Sequence, residues 1–161
     1  MNTEHAPLPA ADRTSVSGLA LMQGMIEGRF PRAPIAELMA MSGGSAGEGW
    51  MVFTGHPGPR HYNPIGTVHG GYAATLLDSC MGCAVHTTLP AGTGYSTIDL
   101  NITYIRAMTA ATGEVTARGE VISTGKRIAT ARGTLTDSQG RVIATGVTTC
   151  LIFPIGELAR R

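Results

Sequence analysis

The chain has 161 residues, the size of one ordinary domain and too few for two, so a single core has to do all the burying. Hydrophobic residues make up 43% and charged residues 14%, against about 25% charged in a typical soluble domain, so part of the surface of a compact monomer is expected to lie under another subunit. Twelve Lys+Arg against eleven Asp+Glu give a formal +1, which supplies neither the basic footprint of a nucleic-acid binder nor an acidic tail.

Residues 1–13 are rich in Pro and Ala without periodicity and read as a loose arm. Thr14 or Ser15 is expected to cap a short amphipathic helix running to Ile26, with Leu19, Met22, Met25 and Ile26 along one side and Gly28 as its stop. Pro31 and Pro34 break the chain, 35–41 reads as a short turn of helix or as extended chain, and Gly43-Gly44-Ser45 is expected to close an N-terminal helical extension spanning 14–48. The main domain is expected over 49–155, with a tail at 156–161. It opens with the strand Trp50-Met51-Val52-Phe53-Thr54, followed by a long Gly- and Pro-rich loop over 55–66. Between Gly70 and His86 lies one long helical pattern that is apolar all round, which means burial, and Asp78 is its only charge. After Pro90 the period switches to two: Ile98, Leu100, Ile102 and Tyr104 alternate with Asp99, Asn101 and Thr103, a half-buried strand. Three more strands are expected over 113–124, 127–136 and 142–153, separated by Gly125-Lys126 and by the hairpin turn Asp137-Ser138-Gln139-Gly140. One buried helix followed by long antiparallel strands is an α+β layout in which the sheet wraps the helix.

No stretch approaches the ~20 uninterrupted apolar residues of a membrane helix, and Met1-Asn2-Thr3-Glu4-His5 has neither the basic start nor the apolar run of an export signal. Cys80, Cys83 and Cys150 are an odd number of cysteines in a chain that needs no staples, so reduced thiols and a cytoplasmic location are expected, with no membrane and no nucleic acid as partner.

Chemistry concentrates in Asn63-Pro64-Ile65-Gly66-Thr67-Val68-His69-Gly70-Gly71 and the helix it feeds. Gly70 and Gly71 stand at the helix start, where backbone N–H groups lack intrahelical partners and the dipole favours negative charge, so a carbonyl oxygen can approach and be polarised. A Gly-Gly pair alone is more often just a tight turn. Asp78 carries more weight, because a carboxylate in an apolar helix costs several kcal/mol unless it is paired, hydrogen-bonded or facing a wet cleft. Its purely structural alternative is a bond to Ser79 or Thr75. Asp78 lies eight residues past Gly70, about 12 Å along the same helix and too far to act on an atom held at that helix's start, so a second copy of the chain is expected to complete the site. His69 reads as a proton donor or, more simply, as a loop-orienting residue, and Asn63 as a turn residue. His56, His61 and His86 have no metal-ligand spacing, and Cys80-Met81-Gly82-Cys83 lies mid-helix with no basic neighbour, so neither a metal nor a reactive thiol is expected. Alternation turns one of the hydroxyls of Ser96 and Thr97 toward the helix.

Asn63-Pro64-x-Gly66-x-x-His69-Gly70-Gly71, then Leu77-Asp78, then Ile98-Asp99-Leu100-Asn101-Ile102-Thr103-Tyr104, closely resembles the hotdog-fold acyl-CoA thioesterases of the phenylacetate-pathway (PaaI-like) type, over about two thirds of the chain. The resemblance implies a central helix wrapped by an antiparallel sheet, two such units joined into one continuous sheet, and often a tetramer of two dimers. It also implies that the Gly70 N–H polarises the thioester carbonyl, that Asp78 of the opposite subunit attacks or activates water, and that Asn63 and His69 organise the loop. Gly71 lies beside the substrate, and a hydroxyl before the Ile98-Asp99 strand helps hold the water, Thr97 or Ser96 depending on how the spacing is counted. Arg106, Lys126 and Arg127 are candidates for the coenzyme A phosphates, although ordinary solvated charges explain them as well. The substrate would be an acyl-CoA, with no cofactor. The rival activities are an enoyl- or hydroxyacyl-CoA hydratase using His69 and Asp78, and a non-catalytic acyl-CoA-binding protein.

Overall fold

The structure, a computed structural model, describes residues 14–156; the expected arm and the last five residues of the expected tail lie outside the described residues. Helix α1 is Gly18–Ile26, capped by Ser17, whose hydroxyl accepts from the Ala20 amide at 3.3 Å, so the cap falls later than Thr14 or Ser15. Gly28 follows the last turn with φ 77°, a left-handed conformation that ends helices. On its covered side Leu21 and Met22 are buried, Leu19 and Met25 are half-buried, and Ile26 stays 38% exposed. Helix α2 is the single short segment Pro34–Leu38.

The expected helical extension over 14–48 is helical in α1 and α2 but not in its last part. Residues Met41–Gly47 form a strand, β1, paired antiparallel to β2, Trp50–Gly55. Gly43-Gly44-Ser45 does not close a helical layer. Gly43 and Gly44 have φ of 47° and 153°, and the register shifts between Ser42 and Gly44, so the glycines absorb a bulge and the strand continues.

Helix α3 is Gly70–His86, with the expected boundaries. The remaining strands are β3 (Thr93–Tyr104), β4 (Val115–Thr124), β5 (Ile128–Asp137) and β6 (Val142–Pro154). All pair antiparallel in one six-stranded sheet of order β1-β2-β4-β5-β6-β3, which leaves β3 at an edge. The β5–β6 turn is tied by Asp137, whose Oδ1 accepts from the Gln139 and Arg141 amides at 3.0 and 2.9 Å. One face of the sheet packs on α3, whose Leu76, Leu77, Cys80 and Met81 are fully buried against Val115, Ala117, Ala131 and Leu135. The alternation expected in β3 is only partly realised. A bulge between Thr97 and Asp99 leaves Ile98 57% exposed, and Tyr104 is 55% exposed, so Leu100 and Ile102 alone of the expected row pack on the core.

Candidate active site

The loop before α3 is held by Asn63. Its Oδ1 accepts from the Ile65 and Thr67 amides at 3.1 and 3.2 Å, and its Nδ2 donates to the Thr67 hydroxyl at 2.9 Å, so every polar atom of the side chain is used to shape the turn. The chain then arrives at His69, the N-cap of α3, whose Nδ1 accepts from the Gly71 amide at 2.8 Å while its carbonyl accepts from the Tyr72 amide at 2.9 Å. Among the described residues nothing accepts from the Gly70 amide. That N–H is the open donor of the helix start, where the dipole adds to its pull on an oxygen. A Cβ at residue 70 would come within 3.2 Å of the Tyr104 ring and push it by a few tenths of an ångström. A cavity of about 280 Å³ opens at this end, with Gly70, Tyr104, Arg106 and Met108 in its wall.

Two turns further along α3 the second feature appears. Asp78 is half-buried, and its Oδ1 accepts from the Thr97 hydroxyl of β3 at 2.8 Å. Thr75 is engaged elsewhere, donating to the Gly71 carbonyl at 2.8 Å, and Ser79 lines the neighbouring cavity, so neither is the partner of the carboxylate. The bulge at Ile98 turns Thr97 inward and leaves Ser96 exposed, which separates the two hydroxyls that spacing alone left open. Asp78 and Ser79 stand in the wall of a cavity of about 300 Å³ that is otherwise largely apolar, apart from Arg32, whose guanidinium donates to the Met41 carbonyl at 2.6 Å. Sequence reasoning missed these walls: Met22 and Met25 of α1, Met41 of β1, Met51 and Phe53 of β2. The one signal available was the spacing of Met22, Met25 and Ile26, which marks an apolar helix face but not what it covers.

The chain thus carries two separate groups, an amide donor at the start of α3 and a carboxylate about 12 Å further along it. The basic candidates divide in the same way. Arg106 lines the Gly70 cavity, whereas Lys126 and Arg127 sit in the exposed β4–β5 turn, beside Ile128, Leu151 and Ser96 in the cross-strand register. The two groups lie about 25 Å apart, the length of the intervening strand. Burial pushes the Cys83 thiol up to about 11, against the pull of its hydrogen bond with Tyr95, and pushes Cys80 well above the ordinary thiol value, so both are neutral near pH 7. Among the described residues no three His, Cys, Asp or Glu side chains gather to hold a metal ion, and no helix is long and apolar enough to cross a membrane.

Residues 65–144 match the thioesterase superfamily. Over 88 residues the chain is 36% identical to acyl-coenzyme A thioesterase 13 of Mus musculus, covering 54% of this chain and 61% of that protein. The chain spans 28% and 61% of the curated relatives it matches. A phenylacetic acid degradation-related protein of Ralstonia eutropha JMP134 superposes with a TM-score of 0.72 at 26% identity, covering 80% of this chain and 97% of that one. A hypothetical thioesterase protein of Streptococcus pneumoniae TIGR4, solved with coenzyme A, superposes with a TM-score of 0.60 at 25% identity, covering 66% and 83%. With its antiparallel sheet wrapped on α3 and its His-Gly-Gly helix start, the chain has the hotdog fold of the thioesterases it superposes on, and residues 65–144 carry its likeness to the thioesterase superfamily.

Proposed function

We propose that the protein is an acyl-CoA thioesterase of the PaaI-like type, acting as a dimer with shared sites in the cytoplasm, where its free thiols Cys80, Cys83 and Cys150 persist. The observation that carries this is the position of the two half-sites on β3. Thr97, which holds Asp78, is near one end of that strand, and Tyr104, which lies against Gly70, is its last residue. β3 is an edge strand whose far end exposes Tyr104 and Ile105 by 55% and 54%. Antiparallel pairing of two such edges about a two-fold axis reverses one strand on the other, so Asp78 of one copy comes against the partner's Gly70, and the sheets join into one. The same operation brings Arg106 toward the partner's Lys126 and Arg127, a basic surface suited to coenzyme A phosphates; the S. pneumoniae neighbour solved with coenzyme A supports that ligand.

In this arrangement the Gly70 N–H takes the thioester carbonyl oxygen and stabilises the negative charge that grows on it. Asp78, oriented by Thr97, attacks the carbonyl carbon or draws a proton from the water that does. The C–S bond breaks, the sulfur leaves as the coenzyme A thiolate and is protonated, and water supplies the oxygen of the free acid. Asn63 and His69 hold the loop and the helix start rather than touching the reacting atoms. No metal takes part in this reading, so turnover should persist in EDTA.

Thiol release from acyl-CoA tests it. Asp78→Asn should lose at least ~100-fold in turnover, the scale of a lost acid–base group, while folding as well as the parent or better, since a costly half-buried charge is gone. Mixing Asp78→Asn with a Gly70 variant carrying a bulky side chain should restore activity, because a mixed dimer has one intact site. Absence of thiol release with every acyl-CoA, or a spectral change at an enoyl thioester without thiol, would overturn the hydrolytic reading. A fully active monomer would overturn the shared site.

A further inference from the structure

The position of the acyl group follows from the thioesterase reading, on which this inference rests. If the thioester carbonyl stands at Asp78, the acyl group bonded to it has to enter the cavity that Asp78 and Ser79 line, while the coenzyme A arm leaves toward the basic surface. That cavity is closed on one side by α1, a helix outside the core formed by α3 and the sheet. Met22 and Met25 come from α1, Met41 from β1 and Met51 from β2, so four methionines surround the space beyond the carboxylate.

α1 is not a loose cover. The Gly18 amide donates to the Leu89 carbonyl at 3.0 Å, and any Cβ at residue 18 would overlap the backbone carbonyl of His86. Leu21 and Met22 pack with Met51 and Ala84 in a separate buried cluster, of which Met25 is a half-buried member at the cavity wall. A wall seated in this way sets a ceiling on ligand size, while unbranched, polarizable methionine side chains let it adjust to ligand shape below that ceiling.

We propose that α1 is the size-determining wall of the acyl chamber, with Met25 as the specificity residue, and that the substrates carry compact apolar acyl groups. A cavity of about 150 Å³ holds a benzene molecule. The chamber of about 300 Å³, twice that volume, therefore fits an aryl ring on a short linker or an alkyl chain of medium length. A long-chain acyl group outgrows this volume, and with α1 seated its end has to leave the chamber.

The test is a thiol-release panel of aryl, short, medium and long straight-chain acyl-CoA substrates with the full chain. For the parent, kcat/KM should rise to the medium chains and fall beyond them. Met25→Ala should raise the ratio of kcat/KM for a twelve-carbon over a six-carbon acyl group by at least ~10-fold, the scale of added room in a hydrophobic pocket. Met25→Trp should lower the medium-chain and aryl rates relative to acetyl. Gly18→Val, which unseats α1 without touching the chamber, should erase the ceiling as Met25→Ala moves it. A parent that cleaves sixteen-carbon as well as six-carbon acyl groups, or folded Met25 variants with the parent's profile, would overturn the inference and leave the thioesterase reading intact. Absence of thiol release with all substrates would overturn both.

Discussion

Thr97→Val removes one hydroxyl and keeps the shape of the side chain. Val is at home in a strand, so β3 should form as before. The bond lost is the 2.8 Å contact from Thr97 Oγ1 to Asp78 Oδ1, which ties the carboxylate of α3 to the edge strand. A hydrogen bond to a charged group contributes about 1.5–3 kcal/mol. Each 1.36 kcal/mol of transition-state stabilisation is a factor of ten, so a bond of that strength held through the reaction predicts a loss in kcat of about 10- to 150-fold. Thr97→Ser retains the donor and should recover most of the activity. Ser96→Ala should stay within about twofold of the parent, because that hydroxyl is exposed and points away from the helix. Steady-state thiol release measures all three, and KM should move less than kcat if the hydroxyl orients a reacting group instead of binding substrate. Combining Thr97→Val with Asp78→Asn should cost little more than Asp78→Asn alone, since the two residues act as one unit. A folded Thr97→Val enzyme with unchanged kcat, or a larger loss from Ser96→Ala, would refute the assignment.

Two further expectations concern groups outside the site. The Tyr72 hydroxyl is the buried side-chain oxygen without a hydrogen-bond partner among the described residues, and burial pushes its pKa up to about 12 against the nearby Arg60 charge. Tyr72→Phe should therefore raise stability, by up to about 1 kcal/mol, and a lower melting temperature would reveal a partner for the hydroxyl such as a buried water. Burial alone would raise the Asp137 pKa, yet the Arg141 amide and guanidinium and the Gln139 amide together hold it below its ordinary 3.8. A carboxylate depressed by folding stabilises the protein above its unfolded value and loses that contribution as pH falls through the folded one. Asp137→Asn should then melt below the parent at pH 7 and converge with it in acid below the folded value; parallel curves of melting temperature against pH would refute this.

How much of this was legible in the sequence depended on where each decision is made physically. The limits of α3 were readable because a glycine pair, a capping residue and unbroken apolarity all lie within the segment itself. β1 was not, since Met41-Ser42-Gly43-Gly44-Ser45-Ala46-Gly47 holds no β-branched or aromatic residue; it is a strand because β2 supplies the ladder and α1 and α2 lie against it. The choice between Ser96 and Thr97 failed for a different reason. Counting back by twos from Leu100 turns Ile98 and Ser96 inward, but the bulge at Ile98 shifts the parity and turns Thr97 inward. A bulge is fixed by the register with β6, about fifty residues away, and leaves no mark of its own in the local pattern. The acyl chamber was hidden likewise, because its wall is assembled from α1, α2, β1, β2, α3 and β3, and no segment alone encloses a volume.

Three of the 22 glycines seat the central helix. Gly119, Gly133 and Gly146 stand opposite one another on β4, β5 and β6, a row of three residues without side chains across the middle of the sheet. α3 lies in the groove they leave. A Cβ at 119 would overlap the Cys80 carbonyl, one at 133 would come within 2.9 Å of Met81 and 3.1 Å of Leu77, and one at 146 within 3.2 Å of Met81. The residues in contact with the row, Leu77, Cys80 and Met81, bracket Asp78 in sequence. The groove therefore fixes the depth of the very turn that carries the carboxylate, and that depth decides whether Asp78 meets Thr97 at hydrogen-bond distance. A displacement of about 1 Å at a reacting group can cost 10²-fold in rate. Side chains in this row would lift the helix and act on the carboxylate as well as on stability, so the glycines serve the position of Asp78 although none of them touches it.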